Sequence, residues 1–171
     1  MKIYKKSFLI IFGYLILATG TVFSADVRVT TSASNVGLGE QFVVSVYIDS
    51  VESLNAIEGK VIFPSDTFLV RDIREGNSVI NFWLDKPNVE QAGELHFSGI
   101  TPGGFNGTNK QLFSLVLEPK KAGTYLIELK DVKAFIHDGA GTNAGLNMYN
   151  ADISVRSQSN NVEQADRKSV V

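Results

Sequence analysis

Apolar and polar residues alternate with a period of two along most of this chain. In residues 41–50, Phe42, Val44, Val46 and Ile48 share one parity, which is the pattern of a strand with one buried face. Turn residues interrupt the alternation about every ten residues, at the spacing typical of all-β domains. No amphipathic helical window of useful length follows residue 25. The alternation therefore favours an all-β fold.

The spacing of the turns predicts about nine or ten short strands arranged as an antiparallel β-sandwich with jelly-roll topology. A chain of 171 residues holds one domain of ordinary size plus extensions. We place this domain at residues 26–155. The predicted strands, some of them short, are residues 26–31, 41–50, 54–63, 67–73, 79–85, 95–100, 111–118, 124–130, 132–137 and 148–155.

Residues 93–113 join two apolar runs through a glycine-rich crossing. Pro102, Gly103, Gly104 and Gly107 supply the restricted and the positive backbone angles that a compact connection needs. We interpret the crossing as a wide loop between two sandwich strands rather than as a ligand cradle. The strand before it, residues 95–100, is then the more informative part for function.

Strand parity assigns Trp83 to the outer surface. In residues 79–85, Ile80, Phe82 and Leu84 share the parity that suits a core. Trp83 then points outward, where an aromatic ring would anchor a ligand. The alternative is a reversed parity that packs Trp83 into the core, since tryptophan is usually largely buried.

The N-terminus has the pattern of a secretory signal peptide, at residues 1–25. Lys2, Lys5 and Lys6 precede the apolar residues 8–18, and small residues suited to cleavage follow. An uncleaved anchor is the alternative, but the apolar run is shorter than the ~20 residues of a spanning helix. We expect cleavage near Ser24 or Ala25 and no other membrane span. The expected location is therefore extracellular, either secreted or at the cell surface.

The C-terminal residues 156–171 are polar, which is typical of a tail that follows a folded domain. Residues 166–171, DRKSVV, match the translation of a common short-read sequencing adapter. The match predicts that the natural reading frame continues beyond this sequence. The alternative is an ordinary polar tail.

Composition and motifs argue against several kinds of function. A formal net charge of −2 gives no basic surface for nucleic acid, and the absence of cysteine excludes thiolate metal sites and disulfides. The two histidines lack zinc-site spacing, no G-x-S-x-G motif occurs, and the loop at residues 138–143 lacks the alternating acidic ligands of a dedicated calcium loop. We therefore expect no enzymatic activity, no cofactor and no bound metal.

Three of the predicted strands, residues 54–63, 79–85 and 95–100, have outward residues that would form one mixed polar and aromatic surface. Such surfaces bind proteins through buried anchors surrounded by a polar rim. The rival hypothesis is a carbohydrate-binding module that binds polysaccharide by stacking sugar rings on Trp83, with Tyr47 or Tyr149 as further platforms.

The chain resembles a cohesin domain over residues 26–155. The resemblance lies in the order and spacing of the segments VGLGEQFVVSVYIDS, LNAIEGKVIFPSDTFLVRDI, GNSVINFWLDKP, GELHFSGITPGGFNGTNKQLFSLVLEPKKAGTYLIEL and FIHDGAGTN. It implies a nine-stranded antiparallel β-sandwich with jelly-roll topology, related to carbohydrate-binding modules. It also implies a non-catalytic receptor for a dockerin-like or other exported protein. The chain departs from many cohesins at Phe63-Pro64-Ser65, where those proteins have Asp-Pro.

In cohesins the partner binds on one sheet face, formed by the third, fifth, sixth and eighth strands. By strand order, the corresponding face in this chain is formed by residues 54–63, 79–85, 95–100 and 124–130. The partner-binding candidates are the outward residues of these strands: Ala56, Glu58, Lys60, Asn81, Trp83, Asp85, His96, Ser98, Ile100, Leu126 and Glu128.

Resequencing the locus tests the interpretation of residues 166–171. If they derive from an adapter, independent reads will replace DRKSVV with other codons and extend the frame. An authentic stop codon directly after Val171 in independent reads would contradict this interpretation.

Overall fold

The computed structural model describes residues 24–157, which contain nine strands and no helix. Most of the expected signal peptide and of the expected C-terminal tail lies outside these residues. Within them, no helix is long and apolar enough to cross a membrane. The strands are β1 (Ser24–Thr31), β2 (Asn35–Gly37), β3 (Phe42–Ile62), β4 (Phe68–Arg74), β5 (Phe82–Gln91), β6 (Glu94–Pro119), β7 (Gly123–Ile136), β8 (Gly145–Tyr149) and β9 (Ala151–Arg156).

The strands form a jelly-roll β-sandwich in which the long strands β3 and β6 each take part in both sheets. Sheet I has the order β8-β1-β3-β6-β4 and uses the N-terminal half of β3 and the C-terminal half of β6. Sheet II has the order β5-β6-β3-β7 and uses the other halves, with β9 and β2 continuing beyond β7. The prediction of an all-β sandwich is confirmed. Its pairs are antiparallel except for β1 with β8 and β2 with β9, which are parallel.

The core lies between the two sheets and follows the alternation of the sequence. Phe42, Val44, Val46 and Ile48 are all at most 3% exposed, so the parity predicted for residues 41–50 is correct. In β6, every residue from 112 to 117 is buried, as expected for a run that is apolar on both parities. Aromatic edge contacts add to the packing, with the ring centroids of Phe97 and Phe113 5.0 Å apart.

The glycine-rich crossing is part of a strand and not a loop, which corrects the prediction. Strand β6 continues through it, with Gly107 paired to Ser50 and Phe105 to Leu54 of β3. Gly103, Gly104 and Gly107 have φ values of 86°, 75° and 102°, a region that glycine enters without the clash of a Cβ atom. These residues let β6 bend from one sheet to the other while its ladder with β3 persists through bulges.

Strand ends also differ from prediction where pairing extends beyond the local pattern. Residues 124–130 and 132–137 belong to one strand, β7, because Asp131 adopts a positive φ of 52° without ending the ladder with β3. The predicted strand at residues 148–155 is two strands, β8 and β9, which pair with different sheets. The three-residue strand β2 was not predicted.

Trp83 points into the sandwich, so its predicted outward orientation is wrong. It is half-buried against the core, and its ring lies 6.4 Å from that of Phe113 in an edge contact. Strand β5 begins only at Phe82, after a bend at Asn81, so the alternation that starts at Ile80 does not continue into the strand. Ile80 and Trp83 therefore both face inward.

The reversed parity brings two apolar side chains to the surface. Phe82 is 58% exposed and Leu84 is 65% exposed, whereas both were predicted to lie in the core. Asp85 was correctly predicted to lie outside, because the register shifts between Trp83 and Asp85. Leu84 is the extra residue at this shift.

The packing of Trp83 over Gly99 can be tested by Gly99→Ala. An added Cβ would lie 2.4 Å from Ile80 Cγ2 and 2.9 Å from Trp83 Cε3. Because these neighbours are in the core, we expect the free energy of unfolding to fall by about 1–3 kcal/mol, measured by urea denaturation. The control is Gly76→Ala, where no heavy atom lies within 4 Å of the added Cβ and a change within about 0.5 kcal/mol is expected. Equal effects of the two substitutions would contradict this packing.

Candidate functional site

The outer face of sheet II brings four strands together in aligned rows. Residues that pair across a ladder project from the same face of the sheet, and the ladders join β5, β6, β3 and β7. We call this surface the sheet II face. Its rows are Phe82-Ile100-Ala56-Phe135, then Asp85-Ser98-Glu58-Lys133, then Asn88-His96-Lys60-Lys130, and finally Gln91-Glu94-Ile62-Glu128.

The first row is apolar. Phe82 stands 58% exposed at the edge strand, while Ile100 and Phe135 are half-buried. Leu84, 65% exposed, lies next to this row on β5. Exposed apolar side chains gathered at one end of a sheet form a patch that gains free energy when a partner removes it from water.

The middle of the sheet II face is a charged depression of about 250 Å³. Three carboxylates line it, those of Glu58, Asp85 and Asp131, together with the ammonium groups of Lys60 and Lys133. Lys133 Nζ donates to Glu58 Oε1 at 3.0 Å. Asp85 has no cationic partner among the described residues and accepts a hydrogen bond from the Asn88 amide at 3.2 Å. The depression therefore carries a surplus of negative charge.

Glu94 is the centre of a polar cluster at the far end of the face. Lys60 Nζ lies 2.8 Å from Glu94 Oε1, and His96 Nε2 lies 2.6 Å from the same oxygen. The hydrogen bond from Lys60, followed by that from His96, lowers the pKa of the Glu94 carboxyl, against an opposing effect of desolvation. The cluster holds Lys60 and His96 in fixed positions on the face.

The structure gathers most of the partner-binding candidates on one surface. Seven share the first three rows, and Glu128 lies in the last row. Three do not join them. Trp83 faces the core, Asn81 is exposed at the bend before β5, and Leu126, 45% exposed, pairs with Asp152 of β9 beyond the rows. The seven are Ala56, Glu58, Lys60, Asp85, His96, Ser98 and Ile100.

Sequence reasoning missed Lys133 and Phe135, which the second half of β7 contributes to the face. Residues 124–130 were assigned to it, but β3 pairs with β7 as far as Phe135 and Ile136. The alternation of buried Val132 and Ala134 with Lys133 and Phe135 was readable in the sequence. It showed which residues face outward and not which strand lies beside β3.

The described residues contain no group of three or more histidine, cysteine, aspartate or glutamate side chains arranged to hold a metal ion. In the loop after β7, the Asp138 carboxylate accepts a hydrogen bond from the Ala140 amide at 2.8 Å. Hydrogen bonds from Thr142 and Ala140 lower the pKa of Asp138. This carboxylate therefore stabilises its own turn.

Solved structures with the same arrangement of strands are cohesin modules. The cohesin module of a family 33 glycoside hydrolase from Clostridium perfringens superposes with a TM-score of 0.67 at 14% identity, covering 80% of this chain and 99% of the other. A non-cellulosomal cohesin from the archaeon Archaeoglobus fulgidus gives a TM-score of 0.65 at 17% identity, covering 80% and 94%. This chain has the cohesin fold.

A third structure with the cohesin fold is solved with a partner bound. It is a type I cohesin–dockerin complex from Clostridium thermocellum, with a TM-score of 0.66 at 13% identity and coverage of 82% of this chain and 98% of the other. No family model matches the chain, and no curated protein matches it. The likeness to cohesins is therefore one of structure, and it shows the fold alone.

The Glu94 cluster predicts a pH response that NMR titration of side-chain carboxyls can measure. The Glu94 midpoint should lie below its ordinary value, and Lys60→Met should raise it. Because the folded-state pKa is the lower one, the contribution of Glu94 to stability is present above the unfolded pKa and lost as pH falls through the folded pKa. Lys133→Met, which removes the partner of Glu58, should leave the Glu94 midpoint unchanged. A midpoint insensitive to Lys60→Met would contradict the assigned contact.

Proposed function

We propose that this chain is an exported, non-catalytic module that docks a dockerin-like protein on the sheet II face. The observation that carries the proposal is the apolar row of Phe82, Ile100 and Phe135 beside a charged depression. This surface lies on a fold shared with cohesins, some of which are solved in complex with dockerins.

The apolar row supplies the affinity of the proposed complex. Fully burying an exposed phenylalanine or leucine side chain contributes about 1.5–3 kcal/mol, and the residues that dominate binding are usually few and aromatic. Phe82 and Leu84 are the most exposed large apolar residues of this surface. A partner helix with apolar side chains along one stripe would cover them.

The charged rows supply the orientation of the partner. The depression exposes Asp85 beside the Lys133–Glu58 pair, so a partner with a basic side chain at that position is favoured and one with an acidic side chain is disfavoured. Charges at a rim act mainly on association rate and specificity. We therefore assign affinity to the apolar row and selectivity to the charged rows.

An extracellular location follows from the sequence pattern of residues 1–25 and agrees with a partner that is itself exported. A non-catalytic role agrees with the lack of catalytic motifs in the sequence and with the binding modules that share the fold. The rival hypothesis of a carbohydrate-binding module loses Trp83 as a stacking platform, because that ring faces the core.

Surface plasmon resonance with purified dockerin modules, and with exported proteins of the source organism that carry such modules, tests the proposal. At least one should bind the immobilised chain. Phe82→Ala should weaken that binding at least about tenfold, because it removes an apolar anchor. Since Phe82 is exposed, the substitution should leave the fold intact.

Tyr149→Ala is the matched control, because Tyr149 is an exposed aromatic residue of sheet I and its loss should leave dockerin binding unchanged. The proposal fails if none of these proteins binds, or if Phe82→Ala and Tyr149→Ala have the same effect.

A further inference from the structure

The outer face of sheet I carries a second concave surface, on the opposite side of the sandwich from the sheet II face. Two depressions of about 310 Å³ and about 570 Å³ adjoin there, and both are lined by Asp26, Asp49 and Thr108. The larger one also includes Arg28, Asn109 and Tyr149. We call the combined surface the sheet I cleft.

Cross-strand pairing builds the sheet I cleft from two rows. The first row is Tyr149-Arg28-Tyr47, and the second is Asn147-Asp26-Asp49. One row thus places a guanidinium group between two aromatic residues. The other places two carboxylates and an amide side by side.

Contacts within the cleft fix its polar groups in position. Arg28 donates hydrogen bonds to Asp49 and to Asn109 Oδ1, and its guanidinium carbon lies 5.1 Å from the centre of the Tyr47 ring. The backbone N–H of Asn109 also donates to Asp49. Such groups lose little conformational entropy when a ligand binds.

Asp26 and Tyr149 are the residues of the cleft with most unused hydrogen-bonding or packing surface for a ligand. Asn147 Nδ2 donates to Asp26 Oδ1 at 2.8 Å, which leaves the other carboxylate oxygen of Asp26 available as an acceptor. Tyr149 is 52% exposed on the short edge strand β8 and takes part in none of the aromatic ring pairs found among the described residues. Its ring offers a flat apolar wall beside polar groups.

The chemistry of the cleft selects one class of ligand. Two carboxylates disfavour an anion, and Arg28, which donates to Asp49, disfavours a metal ion beside them. An apolar ligand would offer no hydrogen bond to the carboxylate oxygen of Asp26 that remains available. A neutral sugar has hydroxyl groups that both donate and accept, and its ring presents C–H groups that pack on an aromatic face. We infer that the sheet I cleft binds a neutral saccharide, stacked on Tyr149 and hydrogen-bonded by Asp26, Asp49 and Arg28.

Two features make this inference independent of the docking proposal. The cleft and the sheet II face lie on opposite sheets, so a sugar and a protein partner would not compete for space. The stacking residue is Tyr149 and not Trp83. Loss of one activity would therefore leave the other intact.

Native affinity gel electrophoresis tests the inference. The purified exported chain is run in gels containing hydroxyethylcellulose, arabinoxylan, mixed-linkage β-glucan or galactomannan, with a polysaccharide-free gel as reference for each variant. At least one polysaccharide should retard the parent chain. Tyr149→Ala should abolish the retardation, whereas Tyr149→Phe, which keeps the ring, should retain it.

Two further variants separate the cleft from the rest of the molecule. Asp26→Asn should weaken retardation at least about threefold in the dissociation constant, because a charged hydrogen-bond acceptor is lost. Phe82→Ala, on the sheet II face, should be retarded like the parent. Far-UV circular dichroism checks that Tyr149→Ala remains folded. The inference is overturned if no gel retards the parent chain, or if folded Tyr149→Ala is retarded as strongly as the parent.

Discussion

The pairing of β3 with β6 is the interaction on which the rest of the structure depends. These strands remain hydrogen-bonded from Phe42–Leu117 in sheet I to Ile62–Glu94 in sheet II, through bulges where both bend. The bend is possible because Gly103, Gly104 and Gly107 adopt positive φ values. One continuous ladder therefore positions both sheets, and through them both outer faces.

Alternation in the sequence was sufficient to predict the fold class and much of the core, because one face of each strand is buried. It placed Val44 and Val46 inside correctly. It failed at Trp83, where a bend at Asn81 shifts the phase by one residue. That shift depends on contacts distant in sequence, including the space that Gly99 leaves for the indole ring, and no local pattern records it.

Only some of the predicted binding candidates lie together on the sheet II face, again because strand pairing depends on contacts distant in sequence. Glu58 and Ser98 lie on one face as expected, and the antiparallel pairing of β3 with β6 places them directly opposite each other. The contribution of β7 beyond Asp131 could not be located, because the sequence does not show that β7 continues past this residue without a break. Phe82, the most exposed aromatic residue of the sheet II face, lies on the strand whose predicted parity was reversed. The sequence therefore did not reveal that this end of the face is apolar, and the structure does.

We propose that the sheet II face binds a protein partner. Amide ¹H–¹⁵N chemical-shift mapping of the labelled chain with a bound dockerin module tests it most directly. Perturbed amides should concentrate at Phe82, Asp85, Ser98, Ile100 and Lys133, with those of β1 and β8 unchanged. Perturbations concentrated on β1 and β8 instead would contradict it.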